Sequence, residues 1–251
     1  MFEAYQLQNA FLQRVHPTVK LLSLIIIMLC MIPIYDVWRP LFLLAATITA
    51  IAVLGGVPIQ RLLLTLLPFL FFGFSFVWLQ AVFPEERGET VLFQIGSLPI
   101  AAENIEIGLS LGLRALVFAS WSLLFVLTTS PTALVLSLME KWKLTPSIGY
   151  GLMAAYRFLP QLHEEFRQLK RAHHMRSMGN KQIIWKWKQY ALPLMAGAIR
   201  KAERTAAAME VKGFDGAGNH TRYQAMPYHK EDIFFLMGVL IMSIILACEF
   251  S

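Results

Sequence analysis

Residues 62–83 read LLLTLLPFLFFGFSFVWLQAVF, a run with no charged side chain and one proline, Pro68. A helix needs about 20 apolar residues to cross the hydrocarbon core of a bilayer, so this run is long enough to span one. In lipid the backbone must satisfy its own hydrogen bonds, which a continuous apolar run does as an α-helix. The stretch therefore predicts a transmembrane helix.

Four further apolar blocks accompany this run. None of them alternates between apolar and polar residues, which argues against a membrane β-barrel. Two are near the length of a span, and the second and the last are somewhat short. We therefore expect an all-α integral membrane protein with about five transmembrane helices. The four blocks are residues 19–35, 41–54, 105–129 and 233–248.

The composition excludes several other classes. Of the 251 residues, 57% are hydrophobic and only 15% are charged, whereas a soluble domain has about 25% charged residues. A soluble enzyme, a disordered chain and a disulfide-stapled secreted module are therefore ruled out. Cys30 and Cys248 lie inside apolar blocks and suggest neither a metal site nor a redox pair. Residues 1–20 lack the apolar core of a cleavable signal, so we expect the first block to stay in the mature protein.

Lys and Arg near the ends of the blocks predict the orientation in the membrane. Arg14 and Lys20 precede or begin the first block, Arg61 separates the second from the third, and residues 130–231 are strongly basic. Residues 84–104 instead carry four glutamates against one arginine. These charges predict a multi-pass protein of the cell membrane with a cytoplasmic N-terminus. The expected regions are membrane helices one to four in 1–129, a cytoplasmic region in 130–231 and the last membrane helix in 232–251.

The predicted cytoplasmic region concentrates the positive charge. Residues 129–232 hold 16 of the 22 Lys and Arg and eight of the 16 acidic residues, a net charge of +8. Such a segment could meet nucleic acid, anionic lipid or an acidic protein face. Helical periodicity predicts a short surface helix over 131–144 and two long amphipathic helices, at about 146–179 and 193–212. Their apolar faces contain Leu159, Leu162, Phe166 and Leu169 in the first, and Met195, Ile199, Ala202, Ala206 and Met209 in the second.

The motifs of common enzyme classes are missing. No glycine-rich loop ends in Lys-Ser or Lys-Thr to hold ATP phosphates, and no Gly-x-Ser-x-Gly elbow is present. His163-Glu164 would need a second histidine at position 167 to form a zinc-protease motif, and that residue is Arg167. Arg114, the one clear charge inside an apolar block, is long enough to reach the headgroups. We expect a non-catalytic chain without a metal or cofactor of its own.

The two long helices end in similar ways. The first ends in RAHHMRSMG, residues 171–179, and the second in AAAMEVKGF, residues 206–214. Each places a cation, Arg176 or Lys212, in its last turn before a glycine. The helix dipole favours such a cation by about 0.3–1 kcal/mol, so each end taken singly could be an ordinary cap. Two such ends on one membrane protein favour a pair of docking points for a partner with acid-rimmed grooves.

These ends are the most specific part of a resemblance that covers the layout of the whole chain. TTSP at 128–131, YRFLP at 156–160 and AMEVKGF at 208–214 resemble the transmembrane T component of energy-coupling-factor transporters. That family usually has an Ala-Arg-Gly-like triplet at the tip of each of two coupling helices. The matching positions are Met175, Arg176 and Ser177, and Val211, Lys212 and Gly213. Ser177 replaces the usual glycine, and Lys212 replaces the usual arginine and lacks its bidentate fork.

The resemblance implies the energy-coupling subunit of an ATP-driven importer. Two ABC-type ATPases, which hold the ATP and magnesium, would bind the two tips. A separate membrane protein, the S component, would capture a vitamin or a metal ion such as cobalt or nickel. The lipid bilayer is the other implied partner, and nucleic acid is not one. The implied S-component face consists of Leu162, Phe166, Leu169, Met195, Ile199 and Met209.

Two other classes stay open on the residues alone. A membrane-bound enzyme could use the basic face to bind an anionic lipid substrate, but it would need acids or histidines clustered at the interface. Only Glu164 and Glu165 come close to such a cluster, and they lie beside Arg167 and Lys170. A scaffold at the membrane surface without an ATPase partner is the other class. Neighbouring genes for an ATPase would argue against it.

Overall fold

The computed structural model describes residues 11–34, 36–83, 90–95, 98–176, 183–216 and 226–248. The chain divides into two compact units. We call the first, Met1–Leu134 with Met226–Ser251, the membrane unit, and the other, Val135–Ala225, the second unit. In chain order the elements are α1 (Phe11–Arg14), α2 (Pro17–Met31), α3 (Trp38–Leu54), α4 (Ile59–Val82), β1 (Val91–Ile95), β2 (Leu98–Ala101), α5 (Ala102–Thr128), α6 (Pro131–Lys141), α7 (Pro146–Arg176), α8 (Ile183–Val211) and α9 (Lys230–Cys248).

The prediction of an all-α membrane protein is confirmed. Within the described residues, α4 and α5 are long and apolar enough to cross a bilayer, and α2 and α3 are shorter apolar helices. A small antiparallel hairpin, β1 with β2, is the exception to the helical pattern. It lies in the acidic stretch 84–104 between two apolar blocks. The N–H of Ala102 donates to the carbonyl of Thr90 at 3.0 Å, so the hairpin leads directly into α5.

Most of the apolar surface of α4 faces outward. Phe71 is 76% exposed and Leu64 is 72% exposed, and many neighbouring Leu and Phe side chains are also exposed. A soluble protein rarely carries so large an apolar patch, whereas lipid tails solvate it without penalty. The other side of the helix, with Leu62, Leu66 and Gly73, is buried. This division identifies the outward face of α4 as a lipid-facing surface.

Glycines let α4 and α5 approach closely. A Cβ built on Gly112 would lie 2.7 Å from the carbonyl oxygen of Gly73, and one built on Gly108 would lie 3.0 Å from the Cα of Val77. Because residue numbers rise along α4 as they fall along α5, the two helices run antiparallel. Small residues at such a crossing bring backbones together, and van der Waals packing then holds the helices in lipid.

Polar contacts fix the direction of α2 against α5. Near the start of α2, the Nζ of Lys20 donates to the carbonyl of Thr128 at 2.9 Å, at the end of α5. Just beyond the end of α2, the carbonyl of Ile32 accepts from the Nη2 of Arg114 at 3.4 Å. The two helices are therefore antiparallel, as alternating spans require. Arg114 thus contacts the backbone just beyond the end of α2.

The second unit contains the predicted long helices, with one boundary that differs. α7 begins at Pro146, as predicted, with proline in its first turn. α8 begins at Ile183, ten residues before the expected start at 193, so that expectation was wrong. Pro193 lies inside α8. Its ring fixes φ near the helical value, and the missing N–H removes one hydrogen bond of the helix without ending it.

Candidate functional site

The end of α8 has a well-defined geometry. The N–H of Gly213 donates to the carbonyl of Glu210 at 2.9 Å, and the N–H of Phe214 donates to the carbonyl of Met209 at 3.0 Å. Gly213 has φ of +85°, the left-handed conformation that glycine adopts without strain. These are the two bonds of a Schellman motif. The predicted stop at Gly213 is thus confirmed, and it satisfies carbonyls at the helix end.

This cap leaves the predicted tip exposed. Val211 is 89% exposed, and Lys212 and Gly213 are also exposed. The chain after the tip turns back onto the start of α7, where the ring of Phe214 meets that of Tyr150 edge-on at 5.5 Å. This contact holds the turn against α7, while Lys212 stays exposed. Such a tip can enter a groove on another protein without unfolding.

The end of α7 is described as far as Arg176. Met175 is 83% exposed, and the helix continues to Arg176, whose backbone closes the described part of the helix. Ser177, the third residue of the predicted triplet, lies outside the described residues. The exposure of Met175 is what a docking point at this helix end requires.

The two tips lie at opposite ends of the helix pair. Tyr150, near the start of α7, meets Phe214, which directly follows the tip of α8. Arg176 is at the other end of α7, 26 residues further along. At about 1.5 Å per residue, that separation is roughly 40 Å along the helix. The structure therefore does not bring Arg176 and Lys212 together, and each can bind a different protein surface.

Side-chain contacts join α7 to α8 between the tips. Lys201 of α8 forms a short ion pair with Glu165 of α7. The ring of Tyr190 packs edge-on against Phe166 at 5.7 Å and against His173 at 5.1 Å. Glu165 and His173 thus belong to the interface between the helices. These contacts link the two helices so that a movement at one can reach the other.

The proposed S-component face divides into two groups. Phe166, Met195 and Ile199 are exposed apolar side chains, a surface that favours a protein or lipid partner. Leu162, Leu169 and Met209 are half-buried. Met209 lines a cavity of about 320 Å³ whose walls are mostly small side chains, and Leu169 lines another of about 440 Å³.

Two buried charges were not recognised as a site from the sequence. Lys20 was expected to be a flanking charge at the membrane surface, yet it is 1% exposed. Asp232, at the start of α9, is 2% exposed. Their position at the start of apolar blocks gave no signal of burial, because flanking charges are common there. Among the described residues, no group of three or more His, Cys, Asp or Glu could hold a metal ion.

The structure thus combines an apolar helical unit with a pair of long helices, in which Met175 and Val211 are exposed near the helix ends. The family model described as "Cobalt transport protein" (CbiQ) matches residues 8–223. The chain belongs to this family, as an energy-coupling component of the EcfT/CbiQ type.

Individual relatives agree with this assignment. Three of them, from different bacteria, carry the name "Energy-coupling factor transporter transmembrane protein EcfT". The protein of Streptococcus equi subsp. equi is 27% identical and covers 96% of this chain and 93% of its own length. That of Exiguobacterium sibiricum is 29% identical, with 88% and 89% covered. That of Streptococcus thermophilus is 30% identical, with 66% and 67% covered. The predicted class, a transmembrane energy-coupling subunit of a transporter, is confirmed.

Proposed function

We propose that this chain transmits movement from two cytoplasmic ABC-type ATPases to a small substrate-binding membrane protein. The observation that carries the proposal is the tip of α8, where a Schellman motif holds Val211, Lys212 and Gly213 exposed. A rigid, exposed cation is suited to an acidic groove, where a charge-assisted hydrogen bond is stronger than a neutral one. The separation of the two tips supports one ATPase at each.

The helix pair supplies the mechanical link in this proposal. ATP and magnesium bind the ATPases, which move toward each other during their cycle and carry the tips with them. Contacts between Glu165 and Lys201 and between Tyr190 and Phe166 join α7 to α8. A displacement of the tips therefore moves both helices and changes the angle at which they cross. The exposed residues Met195 and Ile199 meet the carrier of a vitamin or metal ion. A shallow Met-containing surface can repack while it stays in contact.

The orientation in the membrane follows from the position of the ATPases. The N-terminus and residues 130–231 lie in the cytoplasm, since ATP is available there. Contacts between the starts of α2 and α9 and the end of α5 support this arrangement, because they group these three ends on one side of the membrane unit.

Purification tests the proposal directly. A tagged chain extracted from its native membrane should bring with it ABC-type ATPases and a small membrane protein, identified by mass spectrometry. The same chain purified alone should hydrolyse no ATP, because it contains no phosphate-binding loop. Robust hydrolysis by the pure chain, or a native complex without any ATPase, would contradict the proposed function.

Lys212→Arg should leave transport at or above the level of the unchanged chain. Arginine keeps the charge and adds the planar fork that binds carboxylates with two hydrogen bonds. Uptake of the substrate of the co-purified carrier, in cells with the complete importer, measures the effect. Complete loss of uptake in Lys212→Arg would contradict the docking role of this residue. Lys212→Met, which keeps the length without the charge, is the control and should lower uptake.

A further inference from the structure

A buried lysine closes the end of α5. Lys20 lies in the first turn of α2, and its Nζ donates to the carbonyl of Thr128 at 2.9 Å and to the Oγ1 of Thr129 at 3.5 Å. Thr128 is the last residue of α5, where helix carbonyls have no partner within the helix. An ammonium group at this position satisfies a carbonyl and complements the negative end of the helix dipole.

A buried carboxylate closes the starts of two other helices. The Oδ1 of Asp232 accepts the N–H of His16 at 2.6 Å, and the Oδ2 accepts the N–H of His229 at 2.7 Å. His16 caps the N-terminus of α2, and His229 directly precedes α9. Both oxygens thus receive donors from positive helix ends, where a carboxylate is favoured. One side chain joins α2 to α9 across a large separation in sequence.

The two charges form one cluster. Asp232 accepts the N–H of His16, the carbonyl of His16 accepts the N–H of Lys20 at 3.3 Å, and both side chains are nearly inaccessible to water. Because both residues bind the backbone of His16, we expect the effects of replacing them not to be additive. The ring of His16, 4.8 Å from that of Tyr228, packs beside the cluster. We call Lys20 and Asp232, with the backbone groups that they bind, the polar clamp.

The polar clamp belongs to the membrane unit and lies close in sequence to both boundaries of that unit. The chain leaves the membrane unit after Leu134, shortly beyond Thr128 and Thr129, and re-enters it at Met226, shortly before His229. Lys20 fixes the first connection through the end of α5, and Asp232 fixes the second through the start of α9. The same pair of residues therefore binds the membrane unit close to both of its boundaries in the sequence.

We propose that Lys20 and Asp232 are positioning residues for energy coupling. They hold the ends of α5 and α9 together on α2, so that force applied to the second unit moves the membrane unit as one body. Without the polar clamp, that force would unwind helix ends and be lost. This role rests on the proposed function, whereas the clamp itself can be tested without it.

Hydrogen exchange on the purified chain in detergent tests the clamp. Lys20→Met should speed exchange of the amides at 126–130, and Asp232→Asn should speed that of the amides at 229–234, by about tenfold, since a buried cap is lost. In the double variant, Lys20→Met with Asp232→Asn, the exchange rates should rise by less than the product of the two single increases. Lys20→Arg keeps a donor and the charge, so its amides should exchange at nearly the same rates as those of the unchanged chain.

The matched control is an exposed pair between the same two segments. Arg14 and Glu231 lie 4.0 Å apart, and both are exposed enough to be screened by solvent. Arg14→Met and Glu231→Gln should leave exchange at both helix ends unchanged. If the clamp variants also leave exchange unchanged, or change it no more than these controls, the polar clamp does not exist as described.

The coupling role has a separate measurement. In the complete importer, Lys20→Met should retain the bound ATPases and their hydrolysis but transport several-fold less substrate per ATP. Unchanged transport per ATP, together with faster exchange, would overturn the positioning role and leave the clamp intact. If the unchanged chain binds no ATPase at all, the proposed function fails, and the exchange result stands alone.

Discussion

Arg176→Glu should release an ATPase from the complex and abolish transport, while the chain stays in the membrane at its normal level. Arg176 is the last described residue of α7 and directly follows the exposed Met175. Reversing a charge in a docked interface replaces attraction by repulsion, which costs at least about 2–5 kcal/mol and weakens binding at least about thirtyfold. Immunoblotting of the ATPases that co-purify with the tagged chain measures the loss.

Arg171→Glu is the matched control for this variant. Arg171 is an exposed arginine on the same helix, more than one turn before the tip. It undergoes the same charge reversal without lying in the predicted triplet, so ATPase binding should change less than about threefold, as for a charge at an interface rim. Normal transport by Arg176→Glu, or equal loss in both variants, would contradict a docking role specific to Arg176.

Gly112→Val should destabilise the membrane unit strongly. A Cβ at this position would lie 2.7 Å from the carbonyl oxygen of Gly73. The obstacle is backbone and cannot rotate away, so α4 and α5 would have to separate and lose their packing. Overpacking of this kind costs about 3 kcal/mol, which lowers the thermal unfolding midpoint by about 6–12 °C in a chain of this size. Thermal unfolding of the purified chain in detergent measures the shift.

Gly238→Val is the matched control for the glycine variant. Gly238 lies in the apolar helix α9, and a Cβ built there meets nothing within 4 Å. The same substitution in the same kind of environment should therefore shift the midpoint by less than about 2 °C. Similar midpoints for the two variants would show that the close approach of Gly73 and Gly112 does not hold the helices together.

Sequence patterns predicted the parts of this structure that rest on local chemistry. The apolar run at 62–83 is sufficient for a span by length alone, and Gly213 is sufficient to end α8. The start of α8 was mispredicted because Pro193 is compatible with both the first turn and the interior of a helix. Periodicity also identified the apolar residues of α7 and α8, but their division into exposed and half-buried groups depends on how the helices pack.

The features that sequence could not predict depend on distant partners. Lys20 has the appearance of a flanking charge, because nothing near it in the sequence indicates the carbonyl of Thr128 that it caps. Asp232 has the usual position of an acid in the first turn of a helix, and its second bond, to His16, joins opposite ends of the chain. Such contacts arise from tertiary packing.

Site-specific photocrosslinking tests the central claim most directly. A photoreactive phenylalanine analogue in place of Val211 should crosslink to an ABC-type ATPase in the native membrane, and one in place of Met175 should do the same. The same analogue in place of Ile199, which is exposed in the middle of α8 and lies roughly 18 Å from Val211, should not reach an ATPase. Crosslinks from both tips only to lipid, or to other parts of the same chain, would contradict the proposal that these helix ends are the points where ATPases act.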